Sequence, residues 1–256
     1  MKTLNTLIKP LLAVLGLSLA MVLGAGRVHA EDAPKASAAT ATHGDSHGAA
    51  AASHGDASHA HAGEAPSFAR VFGHRYLTAY MFCLSLCMGS LFLIFIHHLF
   101  DASWSVPVRR VAEQLSSLLF PWMAVLLVPI LVLQKDIYPW LSIDPATDHA
   151  LDVKKVLFNK VGFNVLLPAL VLSWGLIAHT FRRWSLAQDK DGAAIWTRKS
   201  RVLAAAGIFY FALSLTLGCF YLMKSLQHQF FSTMYGVYYF AGSVWTTLVK
   251  IGRAHV

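Results

Sequence analysis

From Arg75 onward the chain alternates between long uncharged apolar runs and short polar connections. Five such runs occupy residues 76–100, 114–134, 161–181, 202–223 and 225–249. Each holds roughly 21 to 25 residues, and at about 1.5 Å rise per residue that is enough for a helix to cross a hydrocarbon core about 30 Å thick. The pattern predicts an all-α, polytopic transmembrane helix bundle. Four helices are expected to be complete spans, whereas the fifth run opens on the polar residues Ser225, Gln227, His228 and Gln229 and is expected to begin at the interface. Pro121, Pro129 and Pro168 fall inside runs, where each removes a backbone hydrogen bond and permits a kink. Small residues such as Ser85, Gly89, Ser90, Ala169, Ala204, Ala205, Gly207 and Gly242 are expected to let the helices approach closely.

The region before Arg75 follows different rules. Residues 1–30 carry Lys2 and Lys9, then an apolar stretch, then Val28-His29-Ala30 ahead of Glu31 and Asp32. This is the order of a secretory signal peptide, with a first membrane anchor as the other reading. Residues 31–67 are rich in Ala, Gly, Ser and His and almost devoid of large apolar side chains, so ordering them would bury too little surface to offset its entropy. A disordered, His-rich periplasmic linker is expected. Within it His43, His47, His54, His59 and His61 are weak candidate ligands for zinc, copper or nickel.

Composition agrees with the membrane reading. The 256 residues are 56% hydrophobic and only 13% charged, and the mean hydropathy is +0.52. A formal charge of +8 arises from 21 Lys and Arg against 13 Asp and Glu. The basic residues cluster between apolar runs, where positive charge sets topology and meets lipid headgroups, and no nucleic-acid-binding motif accompanies them. Arg109 and Arg110 mark the first loop as cytoplasmic, as do Arg182, Arg183, Lys190, Arg198, Lys199 and Arg201 for the loop after the third run. The expected location is therefore a bacterial cytoplasmic (inner) membrane, crossed several times, with the linker outside. Tyr138, Trp140, Trp104 and Trp184 lie near run ends, where amphipathic aromatics favour the headgroup region.

Few residues suggest chemistry. Ionisable groups at membrane depth are costly and are candidates for function. His97 and His98 close the first run, His179 nears the end of the third, Glu113 precedes the second and His228 lies at the external edge of the fifth. These five are candidates for a proton route, because imidazole titrates near neutral pH. A haem held between His97 or His98 and His179 is a separate reading, that of a cytochrome b-like electron carrier. Metal handling through the linker histidines is a third. Cys83 and Cys87, one helical turn apart, read as small packing residues, as does Cys219. Asn164 reads as a helix-to-helix hydrogen-bonding residue rather than a quinone contact. No phosphate loop, paired carboxylates or nucleophile constellation is present, so no catalytic residue is assigned.

Three stretches resemble the F-type membrane subunit of alternative complex III, a quinol:cytochrome c oxidoreductase with two large membrane subunits of the polysulfide-reductase-like (NrfD-like) group. The first runs from Tyr76-Leu77-Thr78-Ala79-Tyr80 through CMGSLFLIFIHHL to WSVPVRRVAE, which ends at Glu113. The second ends in Tyr138-Pro139-Trp140, and the third, the most specific, is HQFFSTMYGVYYFAGS from His228 to Ser243. The resemblance implies a non-catalytic subunit of a respiratory-chain complex, a scaffold with a possible proton route. It also implies partners: a second NrfD-like membrane subunit, a multihaem cytochrome c and an iron-sulfur subunit, the last two carrying the haem c and iron-sulfur clusters. No cofactor is assigned to this chain. The resemblance places His97, His98, Arg109, Arg110 and Glu113 at the cytoplasmic edge, and His228, Ser232, Thr233 and Tyr235 at the external edge. The signal-like segment and the linker have no counterpart in it.

Residues 250–256, KIGRAHV, match what a common sequencing-library adapter would encode and are expected to be an artefact. The natural chain is expected to run to Val249 and continue into further helices, so that 68–249 is a truncated transmembrane domain.

Overall fold

The computed structural model describes residues 67–100, 105–143, 151, 158–227 and 234–254. Helices make up almost all of this, with no strand among the described residues. Segments 1–30 and 31–66, with the five linker histidines, lie outside the described residues, as do Trp104, His228, Ser232 and Thr233.

Helix α1 spans Phe68–Leu99 and opens with Ser67, whose hydroxyl accepts from the Arg70 amide at 3.3 Å. Such a cap satisfies one of the amides left orphaned at a helix start. Helix α2 (Val106–Ser116) leads through a 3₁₀ turn (Ser117–Leu119) into α3 (Trp122–Val132), and a single turn, α4 (Gln134–Ile137), follows. Helix α5 covers Lys160–Asp191, α6 Ile195–Leu222 and α7 Tyr235–Ala254. The α5 start is capped by the Asn159 side chain, which accepts from the Val161 amide at 3.1 Å. Its end is closed by Gly192, at φ 62°, whose amide donates to the Gln188 carbonyl. That left-handed conformation is what a glycine past a helix end supplies without steric cost.

Four segments are long and apolar enough to cross a membrane: Phe68–Leu99, Val106–Val132, Lys160–Asp191 and Ile195–Leu222. At 32 residues, α5 is about 48 Å long. It therefore exceeds the hydrocarbon core, and its charged last turns, from Arg182 on, project beyond it.

Helix α1 is central and packs against α2, α6 and α7, while α5 packs against α6 and the 3₁₀ turn. Close approach is made at glycines: a Cβ on Gly207 would lie 2.8 Å or less from a neighbour, meeting Phe95 Cε1 at 2.7 Å, and one on Gly218 would meet Trp174 Cη2 at 2.8 Å. Of the small residues expected to pack, Ser85, Gly89, Ser90, Ala204 and Gly207 are buried, but Ala205 and Gly242 face outward. Cys87 and Cys219 are buried and Cys83 is exposed; all three are free thiols.

The second run does not form the single helix expected over 114–134. It breaks at Ser117–Pro121, where Phe120 is extended (φ −127°, ψ 126°). Proline lacks an amide proton and disfavours helical geometry in the residue before it, so Pro121 ends one helix rather than merely bending it. The break is held by Gly175, where a Cβ would stand 2.7 Å from Phe120 Cβ. Pro129 and Pro168, by contrast, stay within α3 and α5.

Tyr138, Trp140 and Trp184 also depart from expectation, since all three are buried rather than turned to the headgroups. Tyr138 donates to the Leu222 carbonyl at 3.3 Å and stacks edge-on with Phe163. These contacts gather residues 137–141, the α5 start and the α6 end at one end of the bundle. Beyond that end of α6, partial burial holds the Lys224 ammonium below the usual lysine range, and its Nζ lies 4.7 Å from the Phe220 ring centre. Asn164 bonds within its own helix, to the Lys160 carbonyl at 2.8 Å, and is exposed, so it makes no cross-helix bond.

Between α5 and α6, the Trp174 indole donates to Ser214 Oγ at 2.8 Å and Ser173 pairs with the Tyr210 hydroxyl. All four side chains are buried. Interhelical hydrogen bonds in membranes contribute about 1 kcal/mol each. Ser214→Ala should therefore lower stability by about 1 kcal/mol, read from the midpoint of unfolding in mixed micelles.

Candidate functional site

The opposite end of the bundle holds a polar cluster built from the last turn of α1, the whole of α2 and the last turns of α5. Helix α2 is short and two-sided, and its inward face carries Ala112, Glu113 and Ser116, all buried. A carboxylate on the apolar side of an amphipathic helix contradicts the usual partition of charge to the outer face. Arg109, one turn earlier, offsets it: Nε stands 3.4 Å from Glu113 Oε1, with Glu113 only 4% exposed and Arg109 18%. Ser185 of α5, also buried, lies near the same carboxylate.

The neighbouring residues tie the elements together. Arg110 pairs with Asp189 and Arg182 donates to Ser117 Oγ, so two charge-assisted bonds join α2 and the 3₁₀ turn to α5. His98 is buried and stacks on Phe181 with ring centres 5.2 Å apart and planes 15° apart. His97 is half-buried beside the Arg109 charge, and its Nδ1 has no hydrogen-bond partner among the described residues.

The structure thus brings together three of the five proton-route candidates, His97, His98 and Glu113. His179 stands elsewhere. It lies two residues before Phe181, about 200° around the helix, and is exposed in a groove toward Ser117 and Leu118. His98 and His179 therefore turn toward different neighbours, Phe181 for the first and the groove by Ser117 and Leu118 for the second. The fifth candidate, His228, lies outside the described residues, and Tyr235 is the first residue of α7. No group of three or more His, Cys, Asp or Glu side chains able to hold a metal occurs among the described residues.

Ser185 and Asp189 were not singled out from the sequence, and Arg182 only as a marker of topology. Their spacing is a signal in retrospect: 182, 185 and 189 recur at three and four, the interval of one helix face. Serine on an apolar helix is ordinarily a packing residue, however, and nothing local marks Ser185 as facing a carboxylate.

Chemically, a buried carboxylate with an adjacent guanidinium, a hydroxyl and two imidazoles can accept, hold and release protons without a metal or cofactor. It carries no nucleophile and oxyanion donor in the arrangement that acyl or phosphoryl transfer needs. Compared with protein-family models and with curated protein sequences, the chain matches none.

Proposed function

We propose that this chain is a non-catalytic membrane subunit of a quinol:electron-acceptor oxidoreductase complex, contributing a proton-handling site at the cytoplasmic end of its helix bundle. The observation that carries the reading is the buried Glu113 with Arg109, His97 and His98 at the end of the bundle where the positive loops gather. The motif resemblance over Tyr76–Glu113 supports it, because that stretch supplies His97, His98, Arg109 and Glu113. The exposed apolar side chains of α7, among them Val237, Tyr238 and Trp245, are also suited to a membrane-embedded partner. In this reading the haem c and iron-sulfur clusters reside in partner subunits of a bacterial inner-membrane complex, beside a second membrane subunit of the same group.

The test is purification of the tagged natural protein from its own membranes in a mild detergent. Co-purification of a multihaem cytochrome and an iron-sulfur protein, with quinol:cytochrome c activity, is the expected result. Recovery of the chain alone, with no haem or iron-sulfur absorbance, would overturn the proposal. Within such a complex Glu113→Gln should leave assembly intact and lower proton uptake per quinol oxidised, as measured with a pH-sensitive dye in proteoliposomes.

A further inference from the structure

A groove of about 700 Å³ lies between the 117–122 corner and the last turns of α5. Its α5 side is one helix face, with His179, Arg183, Leu186 and Lys190 at intervals of three and four and Arg182 at its edge. Arg183 and Lys190 are exposed, whereas Arg182 is half-buried and anchored on Ser117 across the floor. Asp191 is the one carboxylate in the lining, so the mouth is positive overall.

The opposite wall is apolar, made by Leu118, Phe120 and Trp122, the last 61% exposed. From this mouth two rows of exposed apolar side chains lead away toward the other end of the bundle. One follows α3 through Val125 and Val128, and the other runs back along α5 through Leu176 and Leu172. Because α5 leaves the hydrocarbon core near Arg182, the charged mouth sits at headgroup level and the two rows at acyl-chain level.

We propose that this groove is a binding site for an anionic phospholipid, with the phosphodiester held by Arg183, Lys190 and the anchored Arg182, and the acyl chains lying along α3 and α5. A guanidinium fixed in place by Ser117 suits phosphate, since its planar fork is held before the ligand arrives. A free phosphate would use the charges but leave the apolar rows unfilled. An acidic protein segment would likewise use only the mouth.

The test uses the full chain in detergent, titrated with phosphatidylglycerol or phosphatidylcholine and followed by native mass spectrometry. Phosphatidylglycerol should bind preferentially, and the double variant Arg183→Gln, Lys190→Gln should lose on the order of tenfold in its affinity. Both side chains are exposed, so the variant should fold. The control Arg198→Gln, Lys199→Gln removes equal charge at the same end but outside the groove, and should keep the preference. Equal binding of the two lipids, an equal loss in the control, or full displacement by millimolar inorganic phosphate would each overturn the proposal. So would protection of the groove by an acidic partner subunit with no lipid retained. The lipid titrations of the chain alone do not depend on whether it belongs to a quinol-oxidising complex.

Discussion

Replacing Gly89 with valine should separate α1 from α7 and cost about 3 kcal/mol or more, enough to abolish a stable folded species in mild detergent. A Cβ at this position would stand 2.2 Å from the Ser243 carbonyl oxygen and 2.4 Å from Thr247 Oγ1. The first of these is backbone, so no rotamer change relieves the clash. The same contact region carries two cross-helix bonds, from the Tyr239 hydroxyl to the Met81 carbonyl at 2.8 Å and from Thr247 to the Leu86 carbonyl at 3.2 Å. Pushing the helices apart would lose both. Gly242 supplies the control, because it lies on the same helix as Ser243 with nothing within 4 Å of an added Cβ. Gly242→Ala should be neutral or slightly stabilising, by the helix-propensity gain of up to about 1 kcal/mol. Thermal denaturation followed by size-exclusion chromatography separates the two outcomes, and equal behaviour of both variants would refute this packing of α7.

The positions of the spans were legible because charge is expensive in hydrocarbon, so its absence over a membrane thickness marks a helix almost by itself. What happens inside a span was less legible. Pro121 announced a disturbance, but a full break needs a place to put the Phe120 backbone, and that place is the missing side chain of Gly175 on a helix distant in sequence. Tyr138, Trp140 and Trp184 were misplaced for a related reason. An aromatic at a run end can turn to lipid headgroups or inward to neighbouring helices, and for Tyr138 and Trp140 only the contacts with Leu222, Phe158 and Phe163 decide. Glu113 stood out as an ionisable group beside an apolar run. Its burial did not, because α2 is too short for its period to override the expectation that glutamate faces water. His97 and His98 were drawn in by the same edge position as His179, yet helix phase, fixed by Phe181, sends His179 to another face.

Breaking the Arg109–Glu113 pair from the arginine side should be more damaging than removing the pair. Glu113 is 4% exposed, and beside the Ser185 hydroxyl its compensating charge is chiefly that of Arg109. Arg109→Ala strands a carboxylate in a low-dielectric site and should cost about 3 kcal/mol, the range for a buried pair that loses one partner. Glu113→Gln leaves a guanidinium that is 18% exposed and can still reach water, so its cost should be smaller, about 1 kcal/mol. In the double variant no buried charge remains, and the amide has Ser185 beside it as a hydrogen-bonding neighbour. It should therefore be more stable than Arg109→Ala alone, and this sign reversal, read from a double-mutant cycle of unfolding midpoints, is the diagnostic outcome. Simple additivity of the two single effects would mean that Glu113 is solvated in the folded protein. That would remove the physical basis for a proton site there, since a carboxylate in water needs neither Arg109 nor the helices that enclose it. The stability cycle thus tests the proton-handling proposal through the one property it requires of this chain alone, the burial of Glu113.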